Sequence, residues 1–146
     1  MSTLIHQRVE QAQKGQNPTV ICRVPSGWVV LSDAQILPGY CLLLPDPVTG
    51  SLNDLDAEGR AAFLRDMVIV GDALLEVTGA WRINYEILGN SDPALHAHIV
   101  PRYTSEPETL GRGPVWFYER SAAPVFDPQR DRPLMDALAA AIAKRI

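Results

Sequence analysis

Histidine and cysteine are scarce in this chain, with three of the first and two of the second among 146 residues. Cys22 and Cys41 lie in apolar stretches without CxxC spacing. That excludes a disulfide framework or a zinc ribbon and reads as two reduced, small core residues. No Lys/Arg-rich run occurs and the net charge is −4, which argues against coating a nucleic acid. No apolar run reaches transmembrane length, and residues 1–6 do not form a charged segment leading into an apolar one. The expectation is therefore no membrane partner and a cytoplasmic protein. Repeats, low-complexity tracts and interdomain linkers are also missing, so residues 1–146 read as one domain.

What is present is ordinary globular composition with punctuated periodicity. Residues 3–14 carry Leu4, Ile5, Val9 and Ala12 at loosely helical spacing, ended by Gly15 and Pro18. Residues 19–24 and 28–31 are β-rich runs around Pro25-Ser26-Gly27, a hairpin pattern. Residues 40–44 form an unbroken apolar run, expected as a central strand buried on both faces. Residues 57–77 repeat Phe63, Leu64, Met67, Val68, Val70, Leu74 and Leu75 at three- and four-residue steps. Asp56 suits the N-cap of that long helix and Gly79 its stop. Residues 81–88 and 95–103 read as a second hairpin around the turn 89–93. The proline-bearing tail 104–129 is expected to be irregular. A last helix spans 131–145, capped by Asp131, with Leu134, Leu138, Ala141 and Ile142 as its apolar stripe. The pattern is α+β: an antiparallel sheet with one long helix on a face and short helices at either end.

Two of the three histidines, His96 and His98, stand one residue apart within the last strand pattern. Alternation puts both on one face, with Cβ atoms roughly 7 Å apart, while Leu95, Ala97 and Ile99 turn to the core. Paired imidazoles can give one substrate both a nucleophile and a proton donor. His6 reads as a helix-surface residue.

Residues 84–103 resemble the histidine triad (HIT) family, most of all its bacterial diadenosine-tetraphosphate-hydrolase-like members. The likeness is carried by Gly89-Asn90-Ser91, by His96 and His98 as second and third histidines, and by Val100-Pro101-Arg102. Leu37-Pro38-Gly39-Tyr40, the strand through Pro45, and Asp54-Leu55 extend it over about residues 19–103. The resemblance implies a five-stranded antiparallel sheet with a long helix, commonly dimeric, so a homodimer is expected. It also implies a nucleotide hydrolase or nucleotidyl transferase whose second histidine attacks the α-phosphorus of a nucleoside phosphoester, phosphoramidate or dinucleoside polyphosphate. A nucleotide is then the partner, and no cofactor or metal is called for.

By that resemblance His96 is the nucleophile, a neutral imidazole fixed in one tautomer by its other ring nitrogen. His98 contacts phosphate oxygens or helps protonate the leaving group, and Ser91 donates to the bridging oxygen. Asn90, Asn84, Ser32, Asp33 and Arg102 are the nucleotide-binding candidates, Ser32 and Asp33 for the ribose and Arg102 for phosphate. Each is also readable as a turn or ion-pair residue. Two positions depart from the family pattern. Ala94 stands where the first histidine belongs, and Asp46 follows Pro45 where many relatives show arginine. The first change weakens support for His96; the second removes a charge that would meet distal phosphates. Two rival readings remain open. One is a His-x-His metal site completed by Asp92 or Glu86. The other is a non-catalytic nucleotide-binding module with a degenerate triad.

Overall fold

The structure is a computed structural model that describes residues 2–146; Met1, the start of the segment read above for targeting, lies outside the described residues. Helix α1 spans Leu4–Gln13, strands β1 Val20–Val24 and β2 Gly27–Leu31, and β3 Cys41–Pro45. The long helix α2 spans Ala57–Thr78, followed by β4 Arg82–Glu86 and β5 Ala97–Arg102. A short α3 covers Glu108–Gly111, and α4 covers Arg132–Ala143. The strands form one antiparallel sheet in the order β1-β2-β3-β5-β4, so the expected α+β architecture with five strands is what the chain adopts.

Local chemistry accounts for the boundaries. The Asp56 carboxylate accepts the Gly59 N–H at 2.7 Å, and Gly79 closes α2 in the left-handed region at φ 71°. Helix α1 is capped reciprocally: Thr3 Oγ1 accepts the His6 N–H while His6 Nδ1 accepts the Thr3 N–H. His6 is thus a capping residue, doing what Glu or Gln does in the usual capping box. At α4 the expectation fails. Asp131 occupies the N-cap position but makes no capping bond. Its carboxylate accepts the Asp127 N–H at 2.9 Å and bonds the Arg130 guanidinium instead. Met135, outside the expected stripe, is fully buried with Leu138.

One face of the sheet, carrying Val29, Leu31, Cys41, Leu43, Ala97 and Ile99, packs against α2 and α4 in the main core. The other face is covered in two separate patches. At one end α1 lays Ile5 and Val9 over Val30, Leu44 and Ala94. At the other, the segment after β5 folds back and seats Val115 against Leu37, Tyr40 and Val100. The tail, mostly irregular in secondary structure, forms a strap with short helical turns at Val115–Phe117 and Arg120–Ala122. The strip of sheet between the two patches is left open.

Gly27 opens β2 where the hairpin turns, and a Cβ there would lie 1.9 Å from the Leu44 carbonyl oxygen. That oxygen belongs to backbone paired in the ladder and cannot swing aside. Gly27→Ala is expected to cost about 2–3 kcal/mol of unfolding free energy by forcing β2 and β3 apart, as measured by urea denaturation; an unchanged midpoint would show that the ladder yields there.

Candidate functional site

His98 lies in β5, opposite Leu42 on one side and Glu86 on the other. His96 stands one residue before the strand: the last β3–β5 pair is Leu43 with Ala97, so the strand is shorter than residues 95–103. The segment before it is held differently, by the Leu95 N–H donating to the Thr49 carbonyl at 2.8 Å. The alternation nevertheless carries through, and the two imidazoles share the open strip with ring centroids 5.0 Å apart.

Each ring is fixed by one bond. His96 Nδ1 lies 2.7 Å from the Ala94 carbonyl oxygen. A carbonyl only accepts, so Nδ1 carries the proton and, in the neutral ring, Nε2 keeps a free lone pair. His98 Nδ1 lies 2.7 Å from the hydroxyl of Tyr40, a side chain with no exposed surface. Burial pushes the Tyr40 phenol well above its ordinary value, so it remains protonated and available as a donor. Burial, then the neighbouring His96, then Arg120 hold His98 down at about 4. His98 is therefore neutral near pH 7. The indole of Trp116 meets the His98 ring edge-on, with centroids 5.0 Å apart.

Two depressions meet at this pair. On the α1 side, Ile5, Val30, Leu42 and Leu44 form apolar walls, with Ser32, Asp33 and Arg8 at the polar end. Arg8 pairs with Asp33 at 2.5 Å. On the opposite side, Leu88, Asn90, Ser91 and Trp116 line the second depression. His96, His98, Asp92 and Arg120 border both. Of the residues expected from sequence, His96, His98, Ser91, Asn90, Ser32 and Asp33 are thus brought together. The loop bearing Ser32 and Asp33 is braced by buried Gln35, whose amide donates to the Ser32 and Tyr40 carbonyls.

Arg102 and Asn84 are corrections. Arg102 does sit on the histidine face of β5, four residues beyond His98, but the strap covers it and leaves it 2% exposed. Its guanidinium donates to both Glu106 oxygens, to Asn84 Oδ1 at 2.7 Å, and to the Leu110 and Gly113 carbonyls. With all these donors engaged inside the protein, the side chain has none left for phosphate. Asn84 pairs with Val100 across β4–β5 on the same face as His98, but its Oδ1 is taken by the Arg102 guanidinium.

Tyr40 and Arg120 were not singled out as site residues. Tyr40 lies within the Pro-Gly-Tyr likeness, which gave its position but not its bond to His98. Trp116 and Arg120 sit in a segment without periodicity, where sequence gives no sign of what the chain folds back onto. Nor does Asp46 face the site: it accepts from Trp28 Nε1 at 2.9 Å and Gln13 Nε2 at 3.0 Å. Among the described residues, no group of three histidine, cysteine or carboxylate side chains is placed to hold a metal ion. The Asp92 carboxylate accepts the Ile5 and Ala94 N–H groups, bracing α1 against the segment before His96. No described helix is long and apolar enough to cross a membrane.

No family profile matches the sequence, and no curated protein does either. Solved structures do. A histidine triad protein from Bradyrhizobium japonicum is 28% identical over 84% of this chain and 89% of its own, with a TM-score of 0.74. A histidine triad (HIT) protein from Sinorhizobium meliloti is 25% identical over 87% and 88%, with a TM-score of 0.70. One from Marinobacter aquaeolei, 21% identical, shares the fold over 99% of this chain and 98% of its own at a TM-score of 0.76. With paired histidines on the open sheet face and this sheet order, the chain has the fold of these histidine triad proteins and is similar to them in sequence over most of its length.

Proposed function

We propose that the protein is a nucleotide hydrolase or nucleotidyl transferase that works through a covalent intermediate on His96. The likeness to histidine triad proteins supports a nucleotide-directed role in general. The observation that carries the specific reading is the 2.7 Å bond from His96 Nδ1–H to the Ala94 carbonyl, which fixes the tautomer so that the ring's lone pair is on Nε2. The nucleoside occupies the depression lined by Ile5, Val30 and Leu44, with its ribose toward Ser32 and Asp33. The leaving group lies toward Asn90 and Ser91.

In the first step the Nε2 lone pair attacks the α-phosphorus. The P–N bond forms as the bond to the leaving group breaks, and the leaving atom takes that electron pair. Ser91 donates a hydrogen bond to it as charge develops. The imidazole becomes cationic, so the Ala94 carbonyl holds its Nδ1–H more strongly in the transition state than before it, which is the direction catalysis needs. His98 is neutral at working pH and serves as a hydrogen-bonding group beside the phosphate rather than as a delivering acid. Water, or another hydroxyl acceptor, then attacks phosphorus and gives up its proton to solvent; the P–N bond breaks and Nε2 recovers its lone pair.

Ala94 favours a second reading, a binding module without turnover. In place of a third imidazole it offers a methyl group, 1% exposed, packed with Ile5 and Val9. The two readings separate on whether His96 becomes nucleotidylated.

A homodimer and cytoplasmic residence belong to the same proposal. Leu64, Val68 and Leu75 make an exposed apolar stripe on α2, and Tyr85 and Leu88 are exposed at and beyond β4, which ends the sheet with an unpaired edge. Free Cys22 and Cys41 suit a reducing compartment.

Four outcomes are expected. His96→Ala lowers turnover of nucleoside phosphoramidates and phosphoesters by at least about 1000-fold while nucleotide affinity stays within about threefold. Mass spectrometry under alkaline quench detects a nucleotidyl adduct on His96 in the wild type; binding without adduct or hydrolysis would give the site to the non-catalytic reading. The His98 ring titrates near pH 4 by NMR, below the ordinary value of about 6.5. An unfolded chain takes up that proton at the higher value, so this group destabilises the fold as pH falls from about 6.5 toward 4; a midpoint near 6.5 would refute the assignment. Light scattering gives a dimer at micromolar concentration, and Leu64→Glu with Val68→Glu converts it to monomer; a wild-type monomer would remove the dimer.

A further inference from the structure

Arg120 borders both depressions beside the two histidines, yet makes no ion pair among the described residues. The other cation at the cleft, Arg8, is already paired with Asp33. Arg120 is exposed, but the backbone that carries it is tied on both sides. Two residues before it, the Tyr118 hydroxyl donates to Glu106 at 2.7 Å, and Glu106 is itself clasped by buried Arg102. Four residues after it, the Pro124 carbonyl accepts the Gln35 N–H at 2.8 Å, and Val125 bridges Ala34. A long cationic side chain on an anchored span, bordering the cleft beside both histidines and without a carboxylate partner among the described residues, is placed to bind an anion there.

We propose that Arg120 is the phosphate-recognition residue of this site, and that it makes the site selective for nucleotides carrying a single phosphate on an uncharged leaving group. The proposal rests on the nucleotide reading above. The guanidinium takes the non-bridging oxygens of the α-phosphate, where two parallel N–H donors match two oxygens. Nothing comparable awaits further phosphates. Leu88 and Trp116 line the leaving-group side together with the uncharged Asn90 and Ser91, Asp92 borders it, and no second cation is among them. Each added phosphate there meets uncharged donors and a carboxylate, and no charge partner.

The test is calorimetric binding of the four nucleoside 5′-monophosphates, their nucleosides and their di- and triphosphates to wild type, Arg120→Ala and Arg120→Lys. In the wild type the preferred monophosphate binds about 10–100-fold more tightly than its nucleoside, the range of a charge-assisted bidentate contact. Di- and triphosphates gain nothing further. Arg120→Ala abolishes the preference for monophosphate while leaving nucleoside affinity and thermal stability unchanged, and Arg120→Lys restores part of it. A preference that survives Arg120→Ala, or a tenfold gain with each added phosphate, would overturn the proposal while sparing the nucleotide reading. Failure of every nucleotide and nucleoside to bind the wild type would overturn both.

Discussion

A single guanidinium organises everything on the open side of the sheet. Arg102 leaves β5 pointing toward the histidine face and is covered there by the chain that follows it. Burying a charge of that size is tolerable only because its donors are met by both Glu106 oxygens, Asn84 and two backbone carbonyls. Those acceptors come from β4 and from residues 106, 110 and 113, so meeting the demand of Arg102 also dictates the path of the strap. Burial alone would raise the Glu106 carboxyl; Arg102, the Tyr103 N–H and the Tyr118 hydroxyl outweigh it and hold it below its usual range. The carboxylate therefore remains charged wherever the fold needs it. Val115 is seated in its small core and Trp116 against His98 as a result.

The cleft is a consequence of covering one sheet face from two directions. Helix α1 and the strap each bury what apolar surface they can reach, and the strip that neither reaches carries His96 and His98. Position on this strip, more than any unusual local conformation, turns two ordinary strand-face residues into a pair with free ring edges. The Ala94 carbonyl settles which nitrogen of His96 bears a proton, and the Tyr40 hydroxyl anchors His98 at Nδ1. Acid-base character thus follows from backbone placement and burial.

Sequence periodicity was most informative where burial has a simple rhythm. The α2 pattern, with Asp56 and Gly79 at its ends, matched the helix to within one residue, because a helix packed along one side must repeat its apolar positions. The histidine pair was legible for the same reason in a period of two. Arg102 shows where such reasoning stops. Alternation put it on the right face, but its environment depends on contacts with Glu106 and Gly113, whose arrival no local pattern announces. Arg120 was invisible for a related reason: the strap is held by tertiary anchors, and a segment without periodicity carries no trace of its destination. Asn84 came from the family likeness alone, which does not show that its Oδ1 is engaged by Arg102.

The buried methyl of Ala94 bears on how this chain can change. Its neighbours Ile5, Val9, Val30 and Leu44 have closed around a small side chain. An imidazole at this position would drive a bulky polar ring into that packing. The side chains of α1 would have to be trimmed first to admit it, and such trimming weakens the fold. Position 94 is therefore closed to histidine by any single substitution.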